Sequence, residues 1–164
     1  MGGGEGVVLS ATSWSQVLAA RQQNPGEKYL LQAHVTPQTL DERPSWFRVL
    51  ICDGSVYSCW WNPISHEYHP VTAEQIFRFG LRSLREMAVR ITQICRLDLF
   101  STEIALTESG RFLVVDYVND PVDLRLQSRA RDGVPDAFVA NIARRLARLV
   151  GRNILHSKYQ HLAG

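Results

Sequence analysis

Trp46-Phe47-Arg48-Val49-Leu50-Ile51-Cys52, Asp53-Gly54, Ser55-Val56-Tyr57-Ser58-Cys59-Trp60-Trp61 reads as two strands around a tight turn. A type I′ turn needs positive φ at both central residues, and Asp-Gly between runs rich in β-branched and aromatic side chains supplies that. Working outward, Asn62 to Pro70 reads as a polar loop. Thr72 can cap a long helix reaching about Arg96, with Ile76, Phe79, Leu84, Met87, Ile91 and Ile94 at helical spacing and Gly80 as its weak point. A second hairpin follows, Leu99 to Thr107 and Arg111 to Tyr117, around Glu108-Ser109-Gly110.

Upstream, Ser13 is the expected N-cap of a helix carrying Trp14, Val17 and Leu18, which Asn24-Pro25-Gly26 ends. Lys28 to Val35 reads as a strand, and Thr36 to Ser45, with two prolines, as a loop. Met1-Gly2-Gly3-Gly4-Glu5-Gly6 reads as a flexible loop, because it has almost no side chains to pack. Downstream, Val118 to Gly133 is a loop rich in Asp and Arg. Pro135 opens a last helix to Val150, with Val139, Ile142, Leu146 and Leu149 on one face and Arg144, Arg145, Arg148 and Arg152 opposite. The order predicts an α+β fold, a mostly antiparallel sheet with helices packed on one side, in a single domain over residues 1–164.

Composition narrows the function classes. The chain has 164 residues, 45% of them hydrophobic and 21% charged, which excludes disordered, collagen-like and disulfide-stapled chains. A net charge of +2 does not by itself call for a nucleic acid partner. Cys52, Cys59 and Cys95 form no C-x-x-C pattern, so reduced thiols in a cytoplasmic protein are expected. No apolar run approaches the roughly 18 residues of a membrane span, and no secretory signal pattern opens the sequence, so neither membrane insertion nor secretion is expected.

The informative chemistry lies in the second hairpin. Phe100-Ser101-Thr102-Glu103-Ile104-Ala105-Leu106 sets an acid inside an apolar strand, and Phe112-Leu113-Val114-Val115-Asp116-Tyr117-Val118-Asn119-Asp120 does so again. A two-residue turn at Ser109-Gly110 places Glu103 directly opposite Asp116. Opposed like charges are destabilising unless one is protonated or a cation lies between them. A divalent cation such as Mg²⁺ fits, since it takes carboxylate oxygens, and Asn119 can add an amide oxygen. The other reading is that one carboxylate faces solvent or pairs with Arg48, Arg111 or Arg125.

These residues carry a resemblance. Gly2-Gly3-Gly4-Glu5-Gly6-Val7, Tyr29-Leu30-Leu31-Gln32, Phe47-Arg48-Val49, Ser101-Thr102-Glu103-Ile104 and Val115-Asp116-Tyr117-Val118-Asn119, in that order, resemble the C-terminal half of an ATP-grasp domain over nearly the whole chain. The resemblance implies an ATP-grasp ligase that uses ATP and Mg²⁺ to activate a small carboxylate substrate as an acyl phosphate for attack by an amine or thiol. It implies Glu103, Asp116 and Asn119 as metal ligands and Arg48 as the catalytic cation beside the phosphates. Gly2, Gly3, Gly4 and Gly6 would cover the phosphates, and Gln32 and Val35 would lie on the nucleotide side.

The family commonly has one residue between the second acid and its Asn, where this chain has two, a difference that a bulge reconciles. Ala33 stands where the family commonly carries a Glu. The family's upstream subdomain, with a phosphate-binding Lys, has no counterpart here, and Lys28 and Lys158 are the only lysines. The resemblance therefore implies a part inactive alone, and the alternative is a non-catalytic nucleotide-binding or protein-interaction module. A sheet that packs against an upstream subdomain is expected to expose Trp46, Phe47, Trp60 and Trp61, and so to form a homo-oligomer or bind a complementary upstream chain.

Weaker candidates are His66, Glu67 and His69 as metal ligands, and Cys52 or Cys59 with His34 as nucleophile and base. A polar loop and inert buried thiols are the plainer readings. Trp46, Trp60 and Trp61 could stack on a base, with core and sheet-face packing as the plainer role.

Overall fold

The computed structural model of the chain describes residues 11–162, and side chains over residues 11–155. The glycines assigned to the phosphate loop, Gly2, Gly3, Gly4 and Gly6, lie outside the described residues. The chain divides after Val35 into two compact units.

In the first unit, α1 spans Trp14–Gln23, and the Ser13 hydroxyl accepts a hydrogen bond from the Gln16 N–H at 3.4 Å, the expected N-cap. None of its residues is buried. The strand expected over Lys28 to Val35 does not form: the stretch has no regular structure, and Leu30 and Leu31 are exposed. An apolar run becomes a strand only where a neighbouring strand takes its backbone N–H and C=O groups, and this stretch joins no ladder with a described strand.

The second unit begins with a short hairpin, β1 (Thr39–Leu40) against β2 (Arg43–Pro44). Its main sheet is built from β3 (Trp46–Cys52), β4 (Ser55–Trp61), β5 (Tyr68–Pro70), β6 (Leu99–Leu106) and β7 (Phe112–Asn119). The order is β5-β4-β3-β6-β7, and every neighbouring pair is antiparallel. Asp53 and Gly54 have φ of 47° and 73° and Cys52 pairs with Ser55, so the first hairpin turns as its sequence dictates. β5 falls where a loop was expected, with only three residues held against Cys59, Trp60 and Trp61.

The expected long helix is two helices, α2 (Ala73–Arg78) and α3 (Arg82–Cys95). Thr72 caps α2, with Gln75 closing a reciprocal capping box. Gly80, at φ 65°, then ends it: the Leu81 N–H bonds the Ile76 carbonyl and the Gly80 N–H the Phe77 carbonyl, the pair of bonds of a Schellman cap. A Gly at positive φ ends a helix here rather than merely weakening it.

Helices cover both faces of the sheet, which corrects the expectation of one. α3 puts Leu84, Ala88 and Ile91 against Phe47, Val49, Ile51, Trp60, Phe100 and Ile104. On the other face, Ile142 of α4 (Asp136–Leu162) and Val134 pack on Leu50, Cys52 and Cys59, with Phe138, Val139 and Leu146 alongside. The sequence of β3 carries the reason: apart from Arg48 it is a continuous apolar run, and a strand buried on both sides shows no alternation. Phe47, Val49, Leu50 and Cys52 have no exposed surface, and each large side chain so buried contributes about 2–3 kcal/mol. Phe47 and Trp60 therefore form no exposed apolar face. Trp60 packs against Phe79 and donates its indole N–H to Gln75 at 3.1 Å.

The segment from Asp120 to Pro135 is ordered by its own contacts. Arg125 holds Asp123 and Asp132, Leu126 and Val134 form a parallel bridge, and Gly133 lies against the Leu126 backbone. At the far end, Arg152 of α4 reaches Asp53 at 2.8 Å, so it ties the last helix to the first hairpin turn rather than standing free.

Candidate functional site

The sheet positions the candidate residues by register. Arg48 on β3 is the partner of Glu103 on β6, and Glu103 is in turn the partner of Asp116 on β7. One row across three strands thus carries Arg, Glu and Asp, and directly opposed ladder partners point to the same face. The expected pairing of the two acids holds, but by another route. Near the turn Leu106 pairs with Phe112 and Ala105 with Leu113, around a three-residue loop with Gly110 at φ 73°, a register that would not oppose the acids. A shift between Ile104 and Glu103, where β7 uses two residues for one of β6, sets Asp116 opposite Glu103.

A second shift follows between Glu103 and Ser101, where β7 uses three residues for two, and Asn119 becomes the partner of Ser101. This irregularity accommodates the two-residue spacing between Asp116 and Asn119. The Asn119 side-chain amide donates to Asp116 Oδ2 at 2.6 Å. The Thr102 hydroxyl donates to the Asp116 carbonyl at 2.6 Å and secures the irregular strand.

Glu103 is not left facing a like charge alone. Its carboxylate forms an ion pair with the Arg48 guanidinium and accepts the Trp46 indole N–H at 3.1 Å. Arg48 therefore meets an acid directly, the partner named as the alternative for these carboxylates. Its guanidinium also lies 5.1 Å from the centre of the Trp61 ring, in reach of a cation–π contact, while its Nε is buried with no partner among the described residues. Trp61 stacks on His66, with ring centres 5.4 Å apart, and packs at 4.5 Å on Tyr68. Burial pushes the Tyr68 hydroxyl up to about 12. Ser101 Oγ is another buried polar atom with no described partner.

The donor set fits a hard cation in its chemistry. Asp116 and Asn119 carry a carboxylate and an amide oxygen, the amide here turning its nitrogen to Asp116, and a carboxylate such as Glu103 keeps lone pairs beyond those bonded to Arg48 and Trp46. Among the described residues no cluster of three or more His, Cys, Asp or Glu side chains is placed to hold a metal. His66 is stacked on Trp61 and Glu67 is paired with Arg131. Cys59 is buried and its thiol is pushed up to about 12 by that burial, which leaves no thiolate nucleophile at neutral pH. Gln32 and Val35 belong to the first unit, in its irregular segment.

Tyr68 and Ser101 were not among the residues singled out for chemistry, and Trp46 and Trp61 entered only as candidates for stacking on a base. Arg48 within an apolar strand was the available signal, since a cation taken out of water needs a carboxylate or other acceptor as partner. No family model, curated protein or solved structure matches the chain. No described helix is long and apolar enough to cross a membrane.

Proposed function

We propose that the second unit is the Mg²⁺- and ATP-binding portion of an ATP-grasp-type ligase, one that activates a small carboxylate as an acyl phosphate for attack by an amine or thiol. The observation that carries this reading is the double register shift of β7, which sets Asp116 opposite Glu103 and brings the Asn119 amide onto the Asp116 carboxylate. In this reading Glu103, Asp116 and Asn119 supply oxygen donors, and phosphate oxygens and waters complete the octahedron that Mg²⁺ requires. The ion, when bound, neutralises charge on the phosphate being transferred. Arg48, held by Glu103 and Trp61, supplies a fixed cation beside the acids, and a guanidinium keeps its charge at any working pH.

A second reading, a non-catalytic nucleotide-binding or protein-interaction module, is favoured by one observation. Glu103 already has both carboxylate oxygens engaged, by Arg48 and by Trp46. Calorimetric titration with ATP in Mg²⁺ and in chelator separates the two. The first reading expects binding that needs Mg²⁺ and is abolished by Asp116→Ala without loss of the melting transition, and no sustained ADP release from this chain alone. Binding that is indifferent to Mg²⁺ or to Asp116→Ala would overturn it.

A further inference from the structure

We propose that the free edge of β4, together with the groove between it and α3, is a docking site for an acidic, partly apolar peptide segment that adds to the sheet as a strand. The strand order makes β4 an inner strand for only part of its length. β5 pairs with Cys59, Trp60 and Trp61, and the Val71 N–H bonds the Ser58 carbonyl, but from Ser55 to Tyr57 the outer edge has no ladder partner among the described residues. Because the Ser58 carbonyl points outward, the strand's alternation turns the backbone groups of Val56 outward as well. An unpaired edge of this kind is a template for another strand, and native proteins usually cover or charge it.

Beside this edge lies an open groove of about 920 Å³ whose apolar part comes from Val56, Val71, Ile76, Leu81 and Val89. Its far wall is α3, which contributes Arg82, Arg85 and Arg90 and a single acid, Glu86. All four are exposed, and none of the three arginines has an ion-pair partner among the described residues. One carboxylate offsets one of three cations, so the wall carries net positive charge next to an apolar floor and the outward N–H and C=O of Val56. Carboxylate side chains on the incoming strand complement the arginines, and apolar ones complement Val56 and Val71. The groove lies on the face covered by α3, whereas Arg48 and Glu103 lie on the other, so this proposal does not rest on the nucleotide reading.

The test uses the full chain and a short fluorescein-labelled peptide of valine and aspartate, read by anisotropy. Saturable binding is expected, weakened about tenfold or more by the double variant Arg85→Glu/Arg90→Glu and by added salt. A peptide with lysine in place of aspartate, or one N-methylated at alternate residues so that it cannot form a ladder, is expected not to bind. Thermal melts confirm that the variant is folded. The proposal is overturned by the absence of saturable binding, by equal binding of the N-methylated or lysine peptide, or by an unchanged affinity in the folded variant. Recruitment to vesicles of anionic phospholipid without peptide binding also overturns it.

Discussion

Arg48 and Glu103 are register partners on β3 and β6, and their ion pair leaves only 15% and 16% of the two side chains exposed. A pair so placed costs desolvation of both ions, and its removal by halves is far worse than its removal entire. Glu103→Gln keeps an acceptor for the Trp46 indole but strands the guanidinium. Urea denaturation should show a loss of about 3 kcal/mol for Glu103→Gln, and recovery of much of that loss in the double variant Arg48→Met/Glu103→Leu. Equal losses in both would mean that the pair contributes net stability of its own.

Asn119 depends on the irregularity of β7 to reach Asp116. Asn119→Ala removes the amide that donates to Asp116 Oδ2 and, in the proposed function, one oxygen donor to the metal. Mg²⁺-dependent ATP binding should weaken about tenfold, the usual scale for a lost ligand or supporting group, while stability changes by about 1 kcal/mol. Asn119→Asp should retain more Mg²⁺ affinity than Asn119→Ala, because it restores an oxygen ligand. Identical affinities for the two variants and the parent would remove Asn119 from the site.

How legible this was depends on which interactions are local. Asp53-Gly54, Thr72 with Gln75, and Ser13 each act within a few residues, and their turn, capping box and cap could be read directly. The opposition of Glu103 and Asp116 was also readable, yet the turn argument behind it was not the physical cause. The three-residue loop at Gly110 misaligns the acids, and the bulge realigns them. Nothing in Val114-Val115-Asp116 announces that bulge. β5 was hidden because a three-residue strand exists only through its partner β4, and Lys28 to Val35 failed as a strand for the converse reason. The second helical layer was implicit in the apolar run of β3, which shows no alternation apart from Arg48. Arg48 meeting Glu103 was open as one of several pairings, and only the β3–β6 register selects it.

Tyr68 makes stability pH-dependent on the alkaline side. Burial raises its hydroxyl from the ordinary 10.0 to about 12, so the folded chain keeps a proton that the unfolded chain has released between those values. This contribution is fully present below about pH 10 and is lost as pH rises toward 12, on the order of 2–3 kcal/mol across the window. Cys59, pushed up to about 12 by burial, adds a loss of the same sign that begins nearer 9. Denaturation at a series of pH values should therefore show a steeper alkaline decline for the parent chain than for Tyr68→Phe. Parallel curves would mean that Tyr68 ionises as it does in water.

Gly133 sits where no side chain fits. A Cβ there would lie 2.6 Å from the carbonyl carbon and oxygen of Leu126 and 2.7 Å from the Arg125 carbonyl oxygen, and backbone atoms cannot move aside as a flexible side chain would. The residues it would push apart are joined by the Val134 N–H to the Arg125 carbonyl at 2.8 Å and the Gln127 N–H to the Val134 carbonyl at 2.9 Å. Val134 itself is buried in the core that α4 closes. Gly133→Ala should accordingly cost about 1–3 kcal/mol through overpacking and loosen the entry to α4. Hydrogen exchange should quicken at Gln127 and Val134 while the amides of β3 keep their protection. A melting temperature equal to the parent's, with unchanged exchange at those two amides, would show that the close approach is not required.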